Sequence, residues 1–391
     1  MITDGFNNKT LLEKIEDPNK NMIDKIIDSD GKFLVLLHNQ KKITIITDRF
    51  GLCPVFYGQK DDEFLITSDL ETSLLETYDL KLLDPENYLV VDIKTGKIEN
   101  VAKPIFEFTT TSDAEETIIK KLASIAEYAV LKNVSCYEKV AVLFSGGVDS
   151  TTLCYTLKKH KINFQAYVVG RKDSIDVLSA EKVAKSLKFP FKIIYIDQEI
   201  TEKNLTKIES IIQTRLFRQT ADTVPAPVTI AVAIPYFFGM SKASEDGFEA
   251  VLTGIGTEEI FAGFTHWDKT KTIGELCLEK TFTIHKRDIY RDYRLTSHFQ
   301  MDLINPFLNL QMAKFALTIP TKLKIKDGIK KYIWRKTSEY IGVPEKLAFR
   351  PNKATQYGSK SDDILQKLAR KSGLKYKQKY IEYIYEKITK D

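Results

Sequence analysis

Residues 139–150, Lys-Val-Ala-Val-Leu-Phe-Ser-Gly-Gly-Val-Asp-Ser, constrain the fold more than any other stretch of this chain. The continuous apolar run 140–144 has the length of a buried strand, and a helical pattern follows from about residue 151 to 159. Gly146 and Gly147 allow the backbone to approach a ligand closely. The first N–H groups of a helix have no partner within it, so the junction points unpaired donors at an anion. Ser145 and Ser150 add hydroxyl donors, and Asp149 suits a divalent cation carried on a polyphosphate. No Gly-Lys-Ser/Thr follows, which excludes a Walker-type loop.

The hexapeptide Ser-Gly-Gly-Val-Asp-Ser resembles the pyrophosphate loop of the ATP pyrophosphatase superfamily, which grips the pyrophosphate released when ATP adenylates a substrate. The resemblance implies nucleotide contacts at Leu143, Ser145, Gly146, Gly147, Asp149, Ser150 and Val169. Beyond the loop, runs 164–169 and 191–196 read as strands and 179–187 as a helix, so strand and helix alternate as in a parallel α/β sheet. Ligands in such sheets sit at the carboxyl ends of the strands, where Ser145 and Val169 fall.

Upstream the pattern differs. Apolar runs 33–38 and 43–47 flank Asn39-Gln40-Lys41-Lys42 and predict a hairpin; further strands are expected at 64–68 and 88–93. Between them, Asp48-Arg49-Phe50-Gly51-Leu52-Cys53-Pro54-Val55-Phe56-Tyr57 resembles a signature in the glutaminase half of glutamine-dependent asparagine synthetases. Glutaminase domains of that kind carry a cysteine directly after the initiator Met, whose thiol attacks the glutamine amide. Here position 2 is Ile2, and some 50 residues that precede the hairpin in that family have no counterpart, so no glutaminase activity is expected.

The polar stretch 109–113 marks a boundary, and Ser112 with Glu115 has the spacing of a capping box ahead of a helix carrying Ile118, Leu122, Ile125 and Ala129. Farther on, Thr253-Gly254-Ile255-Gly256-Thr257-Glu258-Glu259 forms a second strand-to-glycine-loop junction, similar to the Ser-Gly-Glu-Gly-x-Asp-Glu motif of asparagine synthetases. By that match Thr253 and Gly254 approach the nucleotide, and Glu258 shares Mg²⁺ with Asp149. The residue between the two glycines is acidic in asparagine synthetases and tyrosine in β-lactam synthetases; Ile255 can neither take a proton nor orient ammonia. Arg291-Asp292-Tyr293-Arg294 and Asn305-Pro306-Phe307-Leu308 resemble further family segments, although an arginine cluster on a helix also reads as a solvated face. The basic stretch from Lys322 to Lys336 resembles Gly-Lys-x-x-Leu-Arg over 328–335, and 350–358 is similar to the loop that supplies the family's catalytic lysine, here Lys353.

Together the motifs imply a parallel-sheet ATP pyrophosphatase domain, of the adenine nucleotide alpha hydrolase-like type, over 113–391, preceded over 1–112 by a smaller β-rich, truncated Ntn-type domain. The expected activity is an ATP-dependent ligase that adenylates a carboxylate, aspartate or a related acid, and transfers it to ammonia or an amine, with catalytic Lys353 and Glu258, ATP and Mg²⁺. Ammonia, or an amine from a separate partner, would replace the missing glutaminase, and the truncated half is free to bind a partner or a second copy. A tRNA-modifying enzyme of the same superfamily and a non-catalytic nucleotide-binding protein are the alternatives. A net charge of +5, with 58 basic residues against 53 acidic ones, argues against nucleic acid. Cys53, Cys136, Cys154 and Cys277 form no Cys-x-x-Cys pair, so neither zinc nor a disulfide framework is expected. Without a signal-like start or a run of membrane-span length, the expected location is the cytoplasm.

Overall fold

The computed structural model describes residues 2–4, 9–11, 19–61, 63–68, 70, 72–106, 108–221, 224–264, 271–351 and 354–388. Its first third is antiparallel sheet, built from β1 (Ile2–Asp4), β2 (Lys9–Leu11), β3 (Phe33–His38), β4 (Lys42–Thr47), β5 (Phe56–Lys60), β6 (Glu63–Thr67), β7 (Lys81–Leu82), β8 (Asn87–Asp92) and β9 (Ile98–Ala102). Six of these strands pair in the order β2-β1-β3-β4-β8-β9, and three more as β6-β5-β7. The expected hairpin is β3–β4, with Leu34 opposite Thr47 and His38 opposite Ile43. The Asn39 side chain makes the turn, its Oδ1 accepting from the amides of Lys41 at 2.9 Å and Lys42 at 2.7 Å.

The second sheet is parallel and places the phosphate loop at its centre. It runs β12-β11-β10-β13-β14, where β10 is Val140–Leu143, β11 Phe164–Gly170, β12 Phe191–Tyr195, β13 Ala250–Leu252 and β14 Asp302–Ile304. Successive neighbours pair in the same direction, Val142 lying between Ala166 and Leu252. The chain moves from β10 outward through β11 to β12, then crosses back to β13 and β14. Strand order therefore reverses beside β10, and the crevice at the carboxyl ends of β10 and β13 is the place for a ligand. Val140, Ala141 and Val142 are fully buried, which explains the unbroken apolar run.

Helices α1 (Glu115–Val134), α2 (Val148–Lys159), α3 (Ile175–Leu187), α4 (Ala226–Glu245), α5 (Asp288–His298) and α6 (Tyr332–Ile341) surround this sheet. The expected capping box before α1 does not form. Ala114 is the N-cap, and Glu115 instead accepts from the Tyr332 hydroxyl at 2.8 Å and Lys326 Nζ at 3.1 Å, joining α1 to the start of α6. Pro235 lies inside α4. Among the described residues α4 is long and apolar enough to cross a membrane, but 78% of that stretch is buried in the protein.

The β-rich third packs directly into the larger part. Phe56 of β5 is fully buried and meets Phe217 and Tyr290 edge-on at 6.3 and 6.0 Å. Gly51 of the Asp48–Cys53 turn abuts His285, just ahead of α5. All four cysteines are free thiols.

Candidate active site

The phosphate loop is shaped by one glycine that no other residue could replace without strain. Gly146 has φ +69°, and a Cβ there would lie 2.8 Å from Ala180 Cα, because α3 packs against the turn. The Ser145 hydroxyl accepts from the Gly147 amide at 3.3 Å and lies 3.4 Å from that of Ser150. Helix α2 starts at Val148, three residues earlier than the sequence pattern indicates, and its N-cap is Gly147. No side chain caps the first amides, which leaves them to an anion.

The second loop meets the first through Asp149. A Cβ on Gly254 would come 2.7 Å from Asp149 Cβ, so the approach of the two loops requires glycine. Asp149 Oδ1 accepts from Thr257 Oγ1 at 2.5 Å and from Trp334 Nε1 at 2.8 Å. Its Oδ2 accepts from Lys331 Nζ at 2.7 Å, and the same ammonium donates to Glu258 Oε1 at 2.7 Å. Lys331 is only 2% exposed. Burial works against its charge, but Asp149 and Glu258 outweigh burial and raise its pKa. Trp334 is fixed by a stack on Phe261, centroids 5.5 Å apart.

The C-terminal segment closes over the loop. Arg350 Nη2 donates to the Gly146 carbonyl at 2.6 Å, and Arg335 Nη1 donates to the carbonyls of Ala348 at 2.6 Å and Arg350 at 3.0 Å. These elements enclose a cavity of about 640 Å³. Of the residues expected at the nucleotide, Leu143, Ser145, Asp149, Ser150, Val169 and Gly254 line it, with Glu258 beside them. Gly146 and Gly147 supply the loop backbone. Thr253 is the exception: its hydroxyl is turned to Asn305 Oδ1 at 2.7 Å, and it does not line the cavity. Lys353 lies outside the described residues, between Pro351 and Ala354, both of which line the cavity.

The sequence points to the far wall only in part, through the segment Arg291-Asp292-Tyr293-Arg294. Arg291 and Asp292 are buried rather than on a solvated face. Arg291 donates from Nε to Asp292 at 2.8 Å and from Nη1 to Asp288 at 2.7 Å, while Arg287 bonds Asp288 at 2.5 Å and also Glu259. Asp288 is held down to about 2: burial opposes its ionisation, and Arg287 and Arg291 overcome it. Asp292 is pushed up to about 7 by burial. Asp176, from the first turn of α3, also lines the cavity, and nothing in its local sequence marks it. Lys331 did have a signal, since it stands inside the stretch 328–335 already singled out.

Comparison with known proteins decides the family. The model of the asparagine synthase family matches residues 121–276 and 266–391. The chain belongs to the asparagine synthase family. A putative glutamine-hydrolysing asparagine synthetase of Methanocaldococcus jannaschii is 26% identical over 94% of this chain and 76% of its own length. The glutamine-hydrolysing asparagine synthetases of Gallus gallus and Homo sapiens are 25% and 24% identical, over 85% and 92% of this chain. The chain spans only 64% and 67% of the length of those two relatives. Among solved structures, NMN synthetase from Francisella tularensis superposes with a TM-score of 0.35 and 13% identity, over 71% of this chain and 94% of its own. As an asparagine synthase family member, the chain is an ATP-dependent ligase.

The asparagine synthase site fits a polyphosphate and a metal carried on it. Uncapped amides and two serine hydroxyls face the anion position. Asp149 and Glu258 already share one cation, the Lys331 ammonium. Among the described residues no cluster of three or more acids, histidines or cysteines could hold a metal alone, so a metal here needs phosphate oxygens to complete its shell. Mg²⁺ binds in that manner, through one or two carboxylates plus substrate phosphates.

Proposed function

We propose that this chain adenylates a small-molecule carboxylate, releases pyrophosphate, and passes the acyl group to ammonia or an amine. The observation that carries the reading is the meeting of two loops more than 100 residues apart on Lys331, which sets Asp149 and Glu258 on one cation beside the anion-binding amides of α2. The amides and Ser145 hold the leaving pyrophosphate. Asp149 and Glu258 would hold Mg²⁺, which would supply charge neutralisation to the phosphates. Lys331 holds both carboxylates on one point beside the phosphate loop. Lys353, from the segment that Arg350 ties to the loop, neutralises charge building on the phosphorus oxygens. Residues 1–112 are read as a glutaminase-like part without glutaminase activity. Ile255 lines the cavity where an acid would assist ammonia, so the acceptor chemistry relies on other groups or on an amine that is already nucleophilic.

ATP–pyrophosphate exchange with Mg²⁺, screened over free amino acids, tests this. Exchange stimulated by at least one carboxylate is expected, and Lys353→Ala should lower it by about 10²- to 10³-fold. Absence of exchange with every acid, or glutamine hydrolysis by the purified chain, would contradict the corresponding part of the reading.

A further inference from the structure

The cavity divides by charge. The phosphate side carries Lys331, Arg335 and Lys330 with Asp149 and Glu258. Tyr236, also in the lining, lies in the field of Asp292, Arg291, Asp288 and Asp176, with the Arg291 guanidinium 5.0 Å from its ring centre. Two guanidinium groups, Arg287 and Arg291, stand in the lining with three carboxylates, Asp176, Glu259 and Asp288, and Asp292 is buried against Arg291 outside the lining. All three nitrogens of Arg291 bond Asp288 or Asp292, and Arg287 is engaged by Asp288 and Glu259. A second substrate carboxylate would therefore have to break buried, charge-assisted bonds to find an arginine fork.

Asp176 is different from its neighbours. It is 4% exposed, lines the cavity, and makes no hydrogen bond or ion pair among the described residues, while Arg350 acts on it only at longer range. A methyl on Gly358 would run into its carboxylate, so the room for that group is built by a glycine. Burial pushes it up to about 7, against Arg350. A buried carboxylate without a partner is costly unless a ligand completes it, and the fitting ligand group is a cation or strong donor. The surfaces between are apolar or aromatic: Val232, Pro235, Tyr236, Ile255 and Phe264.

We propose that the carboxylate activated here belongs to a monocarboxylic amino acid with an apolar or aromatic side chain, whose ammonium group is held by Asp176 at the Tyr236 end of the cavity. The inference rests on the adenylation reading above and makes Asp176 a specificity-determining residue for it. Its ammonium is a recognition handle and takes no part in bond formation; the carboxylate alone is activated.

The test compares ATP–pyrophosphate exchange at pH 8, where Asp176 is ionised, with phenylalanine, leucine, aspartate and 3-phenylpropionate, the last having the body of phenylalanine without its ammonium. Phenylalanine or leucine should exceed aspartate by about 10-fold or more in kcat/KM, and 3-phenylpropionate should lose about 10-fold relative to phenylalanine through KM, because a site built for an N–H group rejects the analogue lacking it. Asp176→Asn should shrink that gap to about 2-fold. Preference for aspartate, or equal exchange with phenylalanine and 3-phenylpropionate in the unmodified chain, would overturn the inference while leaving adenylation standing. Equal loss of both substrates in Asp176→Asn would overturn it too, assigning Asp176 to the nucleotide or the fold. Silence with every acid removes the adenylation reading and the inference with it.

Discussion

Lys331 is the residue on which the site turns, since its ammonium is the counter-ion of two carboxylates that would otherwise repel each other. Lys331→Met should therefore cost about 3 kcal/mol in a urea titration, the scale of removing one partner from a buried charge cluster. The same variant should lose exchange activity, because Asp149 and Glu258 would no longer be tied to one point. Gly146→Ala tests a different force. Its φ of +69° and the closeness of Ala180 predict a loss of about 1–3 kcal/mol, together with weakened ATP binding by calorimetry. A variant that binds ATP as tightly as the parent would show that the turn can relax without opening the anion cradle.

At the scale of elements, the junction between helix Gln198–Ile212 and helix Thr214–Thr220 carries a titrating group remote from chemistry. Glu209 Oε1 accepts from the amide of Thr214 at 3.1 Å and from its hydroxyl at 2.7 Å, while Oε2 is buried without a partner. Burial raises its pKa from 4.5 to about 7. The folded state thus holds its proton longer than the unfolded chain, so stability is present in full below pH 4.5 and is lost as the pH rises through about 7. Glu209→Gln should reduce the difference in unfolding free energy between pH 5 and pH 8 by on the order of 3 kcal/mol, measured by denaturant titration at both pH values. An unchanged difference would place the pH dependence on Asp176 and Asp292 instead.

Elements were legible where burial and period coincide. The run at β10 is apolar throughout because both faces of a central parallel strand are covered, and the glycines after it mark a turn that requires positive φ and a close helix. The hairpin at Asn39 was visible for the same local reason. What local pattern does not carry is pairing at a distance. For Arg291 the family resemblance and a solvated helix face both stand open, because its partners Asp288 and Asp292 count as ordinary helical charges until α5 is laid against the cavity. Ser112 has capping chemistry but lost the position to Ala114, since Glu115 is drawn to Tyr332 and Lys326. Asp176 is a single acid in a helix's first turn, and only the fold puts Gly358 and the cavity against it.

At the scale of the whole molecule, the β-rich third and the nucleotide-binding part share side chains rather than merely touching. Phe56 stands edge-on to both Phe217 and Tyr290, which themselves stack at 3.6 Å. Phe56→Ala should cost about 3–5 kcal/mol and lower the midpoint of a single cooperative transition. Two separate transitions in the parent chain would indicate that the parts fold independently. Phe56 thus plugs an apolar face beside α5, the helix that carries Asp288 and Arg291.

The bond from Arg350 to the Gly146 carbonyl joins residues 204 positions apart. A ribosome delivers the strand, the glycine turn and its helix long before it delivers that arginine. During synthesis the anion cradle is therefore assembled without its last tie, and nearly the whole chain must emerge before the cradle is completed. Nascent chains halted ahead of residue 350 would carry a recognisable loop that lacks this tie.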